Sequence, residues 1–220
     1  MYINPLFRDR RDAGRTLARE VSTRVRDPDV IVLAIPRGGI PVGFEVAQYL
    51  HADLDIFLVR KLGVPGQEEL AMGAIASGGV RVLNHEIIEH LQLPPGLIDQ
   101  VTEREQIEIE RRERIYRDGR PALPIRGRTA VLVDDGLATG ATMLAAARAV
   151  GALDPKRIVV AVPVASTQAC AEFQDHVDQV ICTATPEPLY AVGVWYEDFS
   201  QTSDAEVRNL LERAAHERVA

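Results

Sequence analysis

The sequence is short of cysteine, lysine, tryptophan and long apolar runs, and each shortage narrows the field. Only two cysteines occur in 220 residues, Cys170 and Cys182. They form no Cys-x-x-Cys pair and have no Cys/His ligand spacing, which speaks against a zinc site or a disulfide framework; two structural free thiols are expected. Lysine occurs twice, as Lys61 and Lys156, and 25 basic residues face 32 acidic ones for a net charge of −7. A diffuse positive surface for nucleic acid is thereby disfavoured, so any anionic ligand has to be held locally. The longest apolar runs, such as Val30–Ile35 and Ile158–Val162, fall far short of the roughly 20 residues that span a bilayer. No basic-then-apolar segment opens the chain, and a cytoplasmic protein without a membrane partner is the expectation. No repeat and no low-complexity tract is present, which removes solenoids and disordered hubs.

What the chain does have is a regular alternation. At 46% hydrophobic and 26% charged, it can bury one substantial core, and a single domain over 1–220 is expected. Val30–Ile35, Ile56–Val59, Ala130–Val133, Arg157–Val162 and Val180–Thr183 are short β-branched runs, apolar at consecutive positions, as in parallel strands buried on both faces. Helical stretches follow three of them: Val42–Leu50, Thr142–Val150 and Thr167–Gln174. Strand, helix, strand in succession predicts an α/β fold with an open, mainly parallel twisted sheet flanked by helices. Ala13, Leu17, Val21 and Val25 predict a covering helix over Asp12–Val25. Ser203-Asp-Ala-Glu206 is a capping box that opens a helix from Asp204 to about His216.

Residues 62–125 read as an insertion between core strands. A Gly-rich loop with Gly63 and Gly66 comes first, then a hairpin of Leu70–Ala76 and Val80–Leu83 around Ser77-Gly78-Gly79. Pro95–Arg117 closes it. Glu108/Arg112, Glu110/Arg114 and Glu113/Arg117 stand at i,i+4, which predicts a salt-laced exposed helix. Such a helix is either plainly solvated or a face for a second subunit, with a homodimer as the partner in view.

The chemistry concentrates in Ala130–Met143, AVLVDDGLATGATM. A buried strand ends in two adjacent carboxylates, and Thr139-Gly140-Ala141-Thr142 then leads into an Ala-rich helix. The loop after a parallel strand lies where ligands bind in open α/β sheets. Backbone amides and threonine hydroxyls before a helix N-terminus favour a phosphate, while Asp134 and Asp135 offer acceptors for sugar hydroxyls or a hydrated divalent cation. A phosphate cradle at one end and hydroxyl acceptors at the other outline a ribose phosphate. GxxxxGK[ST] and GxGxxG are both absent, so this is neither a P-loop nor a dinucleotide turn.

VLVDDGLATGAT resembles the phosphoribosyl-diphosphate (PRPP) binding motif of type I phosphoribosyltransferases, and the order of elements fits that family from about Val30 to Phe199. The resemblance implies that family's fold, with a small hood at about 184–202, and transfer of a phosphoribosyl group from PRPP to a nucleobase with pyrophosphate released. Mg2+ is the implied cofactor, with Asp134 and Asp135 reaching it through water or ribose. PRPP would be held by Ala138, Thr139, Gly140, Ala141 and Thr142 together with Asp134 and Asp135. AIPRGGIPVG, whose PRGG is similar to the SRGG of xanthine and guanine enzymes, implies a pyrophosphate loop at Arg37, Gly38 and Gly39. Arg60 and Lys61 would add positive charge where pyrophosphate departs, and Gly63–Gly79 corresponds to a flexible catalytic loop bringing down Glu68 or, by preference, Glu69 as acid/base or positioning group. Asp134, Asp135, Lys61 and Glu69 form the implied catalytic set. VGVWYEDF corresponds to the hood, with Trp195 and Tyr196 as base-stacking candidates and Glu197 and Asp198 as acceptors for its edge.

The pattern also departs from the family. The general-base position of 6-oxopurine enzymes is Ala138 here, as in adenine enzymes, yet the PRGG loop and hood are not those of an adenine enzyme. The sequence looks most like an uncharacterised group carrying VRKLG and a long charged insert. A purine acceptor is favoured, and a PRPP- or nucleotide-sensing regulator without turnover is the rival; a hydrolase or phosphorylase acting on nucleotides is a third reading.

Overall fold

A computed structural model describes residues 4–217. In chain order it runs α1 (Arg10–Arg24), β1 (Val30–Ala34), α2 (Gly39–Leu50), β2 (Asp53–Ile56), β3 (Val59–Val64), β4 (Gln67–Ala76) and β5 (Val80–Leu83). Then come α3 (His85–His90), α4 (Pro95–Arg117), β6 (Thr129–Val133), α5 (Ala141–Gly151), β7 (Arg157–Val164), α6 (Thr167–Glu172), β8 (Gln179–Ala184) and α7 (Asp204–Glu217). Five strands form an open sheet in the order β2-β1-β6-β7-β8, with every neighbouring pair parallel.

Consecutive apolar residues in these strands point alternately to two cores. Val30, Val32 and Ala34 of β1 join Val131 and Val133 of β6 in one cluster with α1, α2 and α7. Ile31 and Leu33 join Ala130, Leu132, Val160 and Val162 in the other, beneath α5 and α6. Burial on both faces is what the unbroken apolar runs encode.

Three expectations need correction. The run Ile56–Val59 is not one strand: β2 ends at Ile56, Phe57 and Leu58 are a buried link, and Val59 starts β3. The hairpin of Leu70–Ala76 and Val80–Leu83 is present as β4 and β5, but the stretch around Gly63 is not a loop. β3, β4 and β5 form a separate three-stranded antiparallel sheet in which Val64 faces Gln67 across a tight turn, with a register shift at Gly63. Backbone pairing, which needs no side-chain pattern, fixes that segment. Finally, Cys170 and Cys182 are not free thiols but a disulfide joining α6 to β8.

The charged helix keeps its expected bounds, Pro95–Arg117, and two of its three expected i,i+4 pairs, but one face is buried through Ile98, Val101, Ile109 and Tyr116. Arg112 pairs with Glu108 at 2.7 Å and Arg117 with Glu113 at 2.7 Å, while Glu110 accepts from Gln106 at 2.9 Å. Arg117 also turns inward to Asp55, with its Nε 2.9 Å from Oδ1, and so ties α4 to β2. Ser203 Oγ accepts from Glu206 N at 3.1 Å at the start of α7. Among the described residues, no helix is long and apolar enough to cross a membrane.

Candidate active site

The site begins where β1 and β6 end. They are parallel neighbours with Ala34 opposite Val133, so the segments that follow leave the sheet side by side. Ile35 N donates to Val133 O at 2.9 Å, extending the ladder by one bond. Beyond it, the Pro36–Gly39 turn meets the diacid. A Cβ on Gly38 would lie 2.0 Å from Asp135 Oδ2, and one on Gly39 would lie 2.7 Å from Val133 O and 3.0 Å from Asp134 Cα. Glycine is required here because any side chain would drive the two loops apart.

Asp134 Oδ1 accepts from the Asp135 amide at 2.8 Å. Burial first, and then the charge of Asp135, push the Asp134 carboxyl well above the usual carboxylate range. Burial raises Asp135 as well, against the pull of Arg10, whose Nε donates to Asp135 Oδ2 at 2.8 Å. Tyr196 OH donates to Asp135 O at 2.6 Å.

The cradle follows. Leu137 is bonded to the end of β7, its N donating to Val164 O at 2.9 Å. Gly140 caps α5 in the left-handed region, at φ +71, with the Phe173 ring packed against it. Ala138, Thr139, Ala141 and Thr142 are exposed around it. The first-turn amides of a helix have no partner within the helix, so this end offers donors and positive potential to an anion.

A family model described as phosphoribosyl transferase domain matches residues 8–194. The chain belongs to the phosphoribosyl transferase domain family. Two provisionally named phosphoribosyl transferases of Mycobacterium tuberculosis, from strains CDC 1551 and H37Rv, are 48% identical to it over 209 residues. The match covers 95% of this chain but 47% of theirs, so the chain spans about half the length of these relatives. The solved structure of TT1426 from Thermus thermophilus superposes with a TM-score of 0.86 at 40% identity, covering 94% of this chain and 98% of that one. A Neisseria gonorrhoeae protein solved with bound ppGpp shares the fold at a TM-score of 0.51 and 13% identity, over 97% of this chain and 99% of its own.

Within the family framework, the structure brings together Gly38, Gly39, Asp134, Asp135 and the Ala138–Thr142 cradle. The predicted basic side chains are engaged elsewhere. Arg37 NH1 lies 3.6 Å from Asp204, Arg60 is held by Glu105 at 2.7 Å, and Lys61 sits 3.5 Å from Glu69 across the β3–β4 hairpin. Glu69 is fully exposed there. Tyr196 must be corrected as a stacking residue: it is buried between Phe7 and Phe199, and its hydroxyl is committed to Asp135. Trp195 is partly buried in the same cluster, with Leu189 and Val192, while Glu197 and Asp198 are exposed.

Arg10 is the site residue the sequence reading missed. Nothing local marks it, because its contact with Asp135 spans 125 positions. Among the described residues, no group of three His, Cys, Asp or Glu could hold a metal ion. A two-carboxylate, all-oxygen donor set suits a hydrated Mg2+ completed by ligand and water, not a cation caged by protein alone.

Proposed function

We propose that this domain transfers the 5-phosphoribosyl group of PRPP to a nucleobase, a purine by preference, with release of pyrophosphate. One observation carries the reading: a glycine turn and a diacid in van der Waals contact at adjacent strand ends, beside a helix N-terminus bearing two exposed threonines. Thr139–Thr142 take the 5′-phosphate through amides and hydroxyls, with small Ala138 and Ala141 leaving room. Asp134 accepts from a ribose hydroxyl, and Asp135 stands beside it, held by Arg10. Gly39 N is spent on Ile35 O at 3.0 Å, so within this turn the Gly38 amide is the backbone donor assigned to the pyrophosphate. Asp134 and Asp135 would hold a Mg2+ ion through water or ribose, and the chemistry it would supply is neutralisation of the leaving group's charge. Lys61 reaches the pyrophosphate after giving up Glu69, an exposed pair that solvent screens. Breaking of the anomeric C–O bond is then helped chiefly by positioning and electrostatic stabilisation.

A calorimetric titration with PRPP and Mg2+ should show binding, and Thr139→Ala with Thr142→Ala should abolish it at an unchanged melting temperature, since both side chains are exposed. No binding at millimolar PRPP sinks the reading. The engagement of Arg37, Arg60 and Lys61 in other ion pairs favours a second reading, a PRPP-sensing regulator. A panel of purines and pyrimidines separates the two: pyrophosphate release with one base supports transfer, and binding without release for every base supports sensing.

A further inference from the structure

Arg10 opens α1, remote in sequence from both strand-end loops, yet its guanidinium makes three separate contacts. Nε donates to Asp135 Oδ2 at 2.8 Å, NH1 donates to Ser200 O at 2.7 Å, and the guanidinium carbon stands 3.9 Å over the Phe199 ring. Its side chain is 12% exposed and that of Asp135 is 17% exposed, so the bridge escapes most of the screening that weakens surface pairs. Tyr196 OH meanwhile grips the Asp135 carbonyl at 2.6 Å. Both the side chain and the backbone of Asp135 are therefore tied to residues 196–200. That stretch is laced in turn to the chain before α1, with Glu197 N donating to Phe7 O and Asp198 N donating to Arg8 O, each at 2.9 Å.

We propose that Arg10 is a positioning residue that couples occupancy of the Asp134–Asp135 pair to the posture of residues 195–200, the stretch read as the hood over the acceptor. The proposal rests on the PRPP reading above. Asp135 Oδ2 is committed to the guanidinium and faces the Gly38 turn, where a Cβ would stand 3.1 Å from Arg10 Nε. Any sugar hydroxyl or hydrated cation that draws on this carboxylate must share it with Arg10 or displace it. Either change alters the hold of the same guanidinium on Ser200 O and Phe199, so the donor side of the site reaches the acceptor side through one side chain. A lysine keeps the charge but lacks the planar fork that meets a carboxylate and a carbonyl while lying over a ring.

Trp195, the sole tryptophan, lies in the coupled stretch and serves as the reporter. PRPP with Mg2+ should change its emission in the wild type. In Arg10→Lys and Arg10→Ala, PRPP affinity should fall at least about tenfold and the emission response should vanish, with Arg10→Lys guarding against loss of fold. Hydrogen exchange at amides 197–200 should quicken at least about tenfold in both ligand-free variants. PRPP binding with wild-type exchange and a wild-type emission response in the variants defeats the coupling alone. No PRPP binding by the wild type defeats the functional reading and the coupling with it.

Discussion

At Asp134 the fold tolerates a residue that works against it. A carboxyl whose folded value is raised above its unfolded one adds most stability when protonated, below about pH 4, and that contribution is lost as pH rises through the raised value. Ionising this group inside the fold is therefore a cost. Asp134→Asn, which keeps an oxygen for the Asp135 amide, should raise unfolding stability in urea titrations above the usual carboxylate range while weakening PRPP binding. A less stable Asn variant would refute the electrostatic account. The opposite holds at Arg117, buried with Asp55 and also donating to Ile56 O. Arg117→Ala strands a buried carboxylate and should cost about 3–5 kcal/mol in the same assay, whereas replacing both partners with apolar residues should recover most of it.

Among the elements, α4 carries a prediction of its own. Hydrogen bonds from Arg111, and then from Arg112, lower the Glu108 carboxyl to about 2. A lowered group stabilises above its unfolded value, near pH 4.3–4.5, and loses that contribution as pH falls toward 2. NMR titration should find Glu108 ionising well below the usual glutamate range, and Arg111→Ala with Arg112→Ala should return it upward; on an exposed stretch of helix the gain in stability stays small. Elements such as β1, β6 and the later turns of α4 were readable because one chemical pattern repeats along them: apolar on two faces, or opposite charges one turn apart. The β2–β3 region was not readable, since Ile56–Val59 crosses from one sheet to another without a change of polarity. Gly63 and Gly66 signalled a loop, yet pairing with β4 makes that stretch a strand and its turn. In the site, the two glycines and the diacid were legible as motifs within single segments. Arg10, and the commitments of Arg37, Arg60 and Tyr196, were not, because each depends on a partner that only the tertiary fold supplies.

Across the whole molecule, the two cores lie on opposite faces of one sheet, and the disulfide fastens α6 to β8 at its edge. With its cysteines 12 positions apart, the bridge closes a short loop whose reduction should cost about 2–3 kcal/mol, or roughly 5–10 °C in Tm. Thermal melts with and without reductant check this, and equal melting temperatures would mean unpaired thiols. Because Phe173 lies between the cysteines in sequence and packs on Gly140, the loss should also loosen the cradle. The net charge of −7 does not oppose an anionic ligand, since the candidate anion contacts are backbone amides and a helix end rather than a basic surface.

The pairing of β1 with β6 also sets an order in time. Val30 meets Thr129 and Ala34 meets Val133 across the entire insertion, so these contacts are highly non-local and must await closure of a long stretch of chain. A nascent polypeptide that has emerged only through α4 holds the glycine turn without the diacid. Ligand binding can therefore return during refolding no sooner than β1 has paired with β6, which makes it a measure of that long-range closure as well as of function.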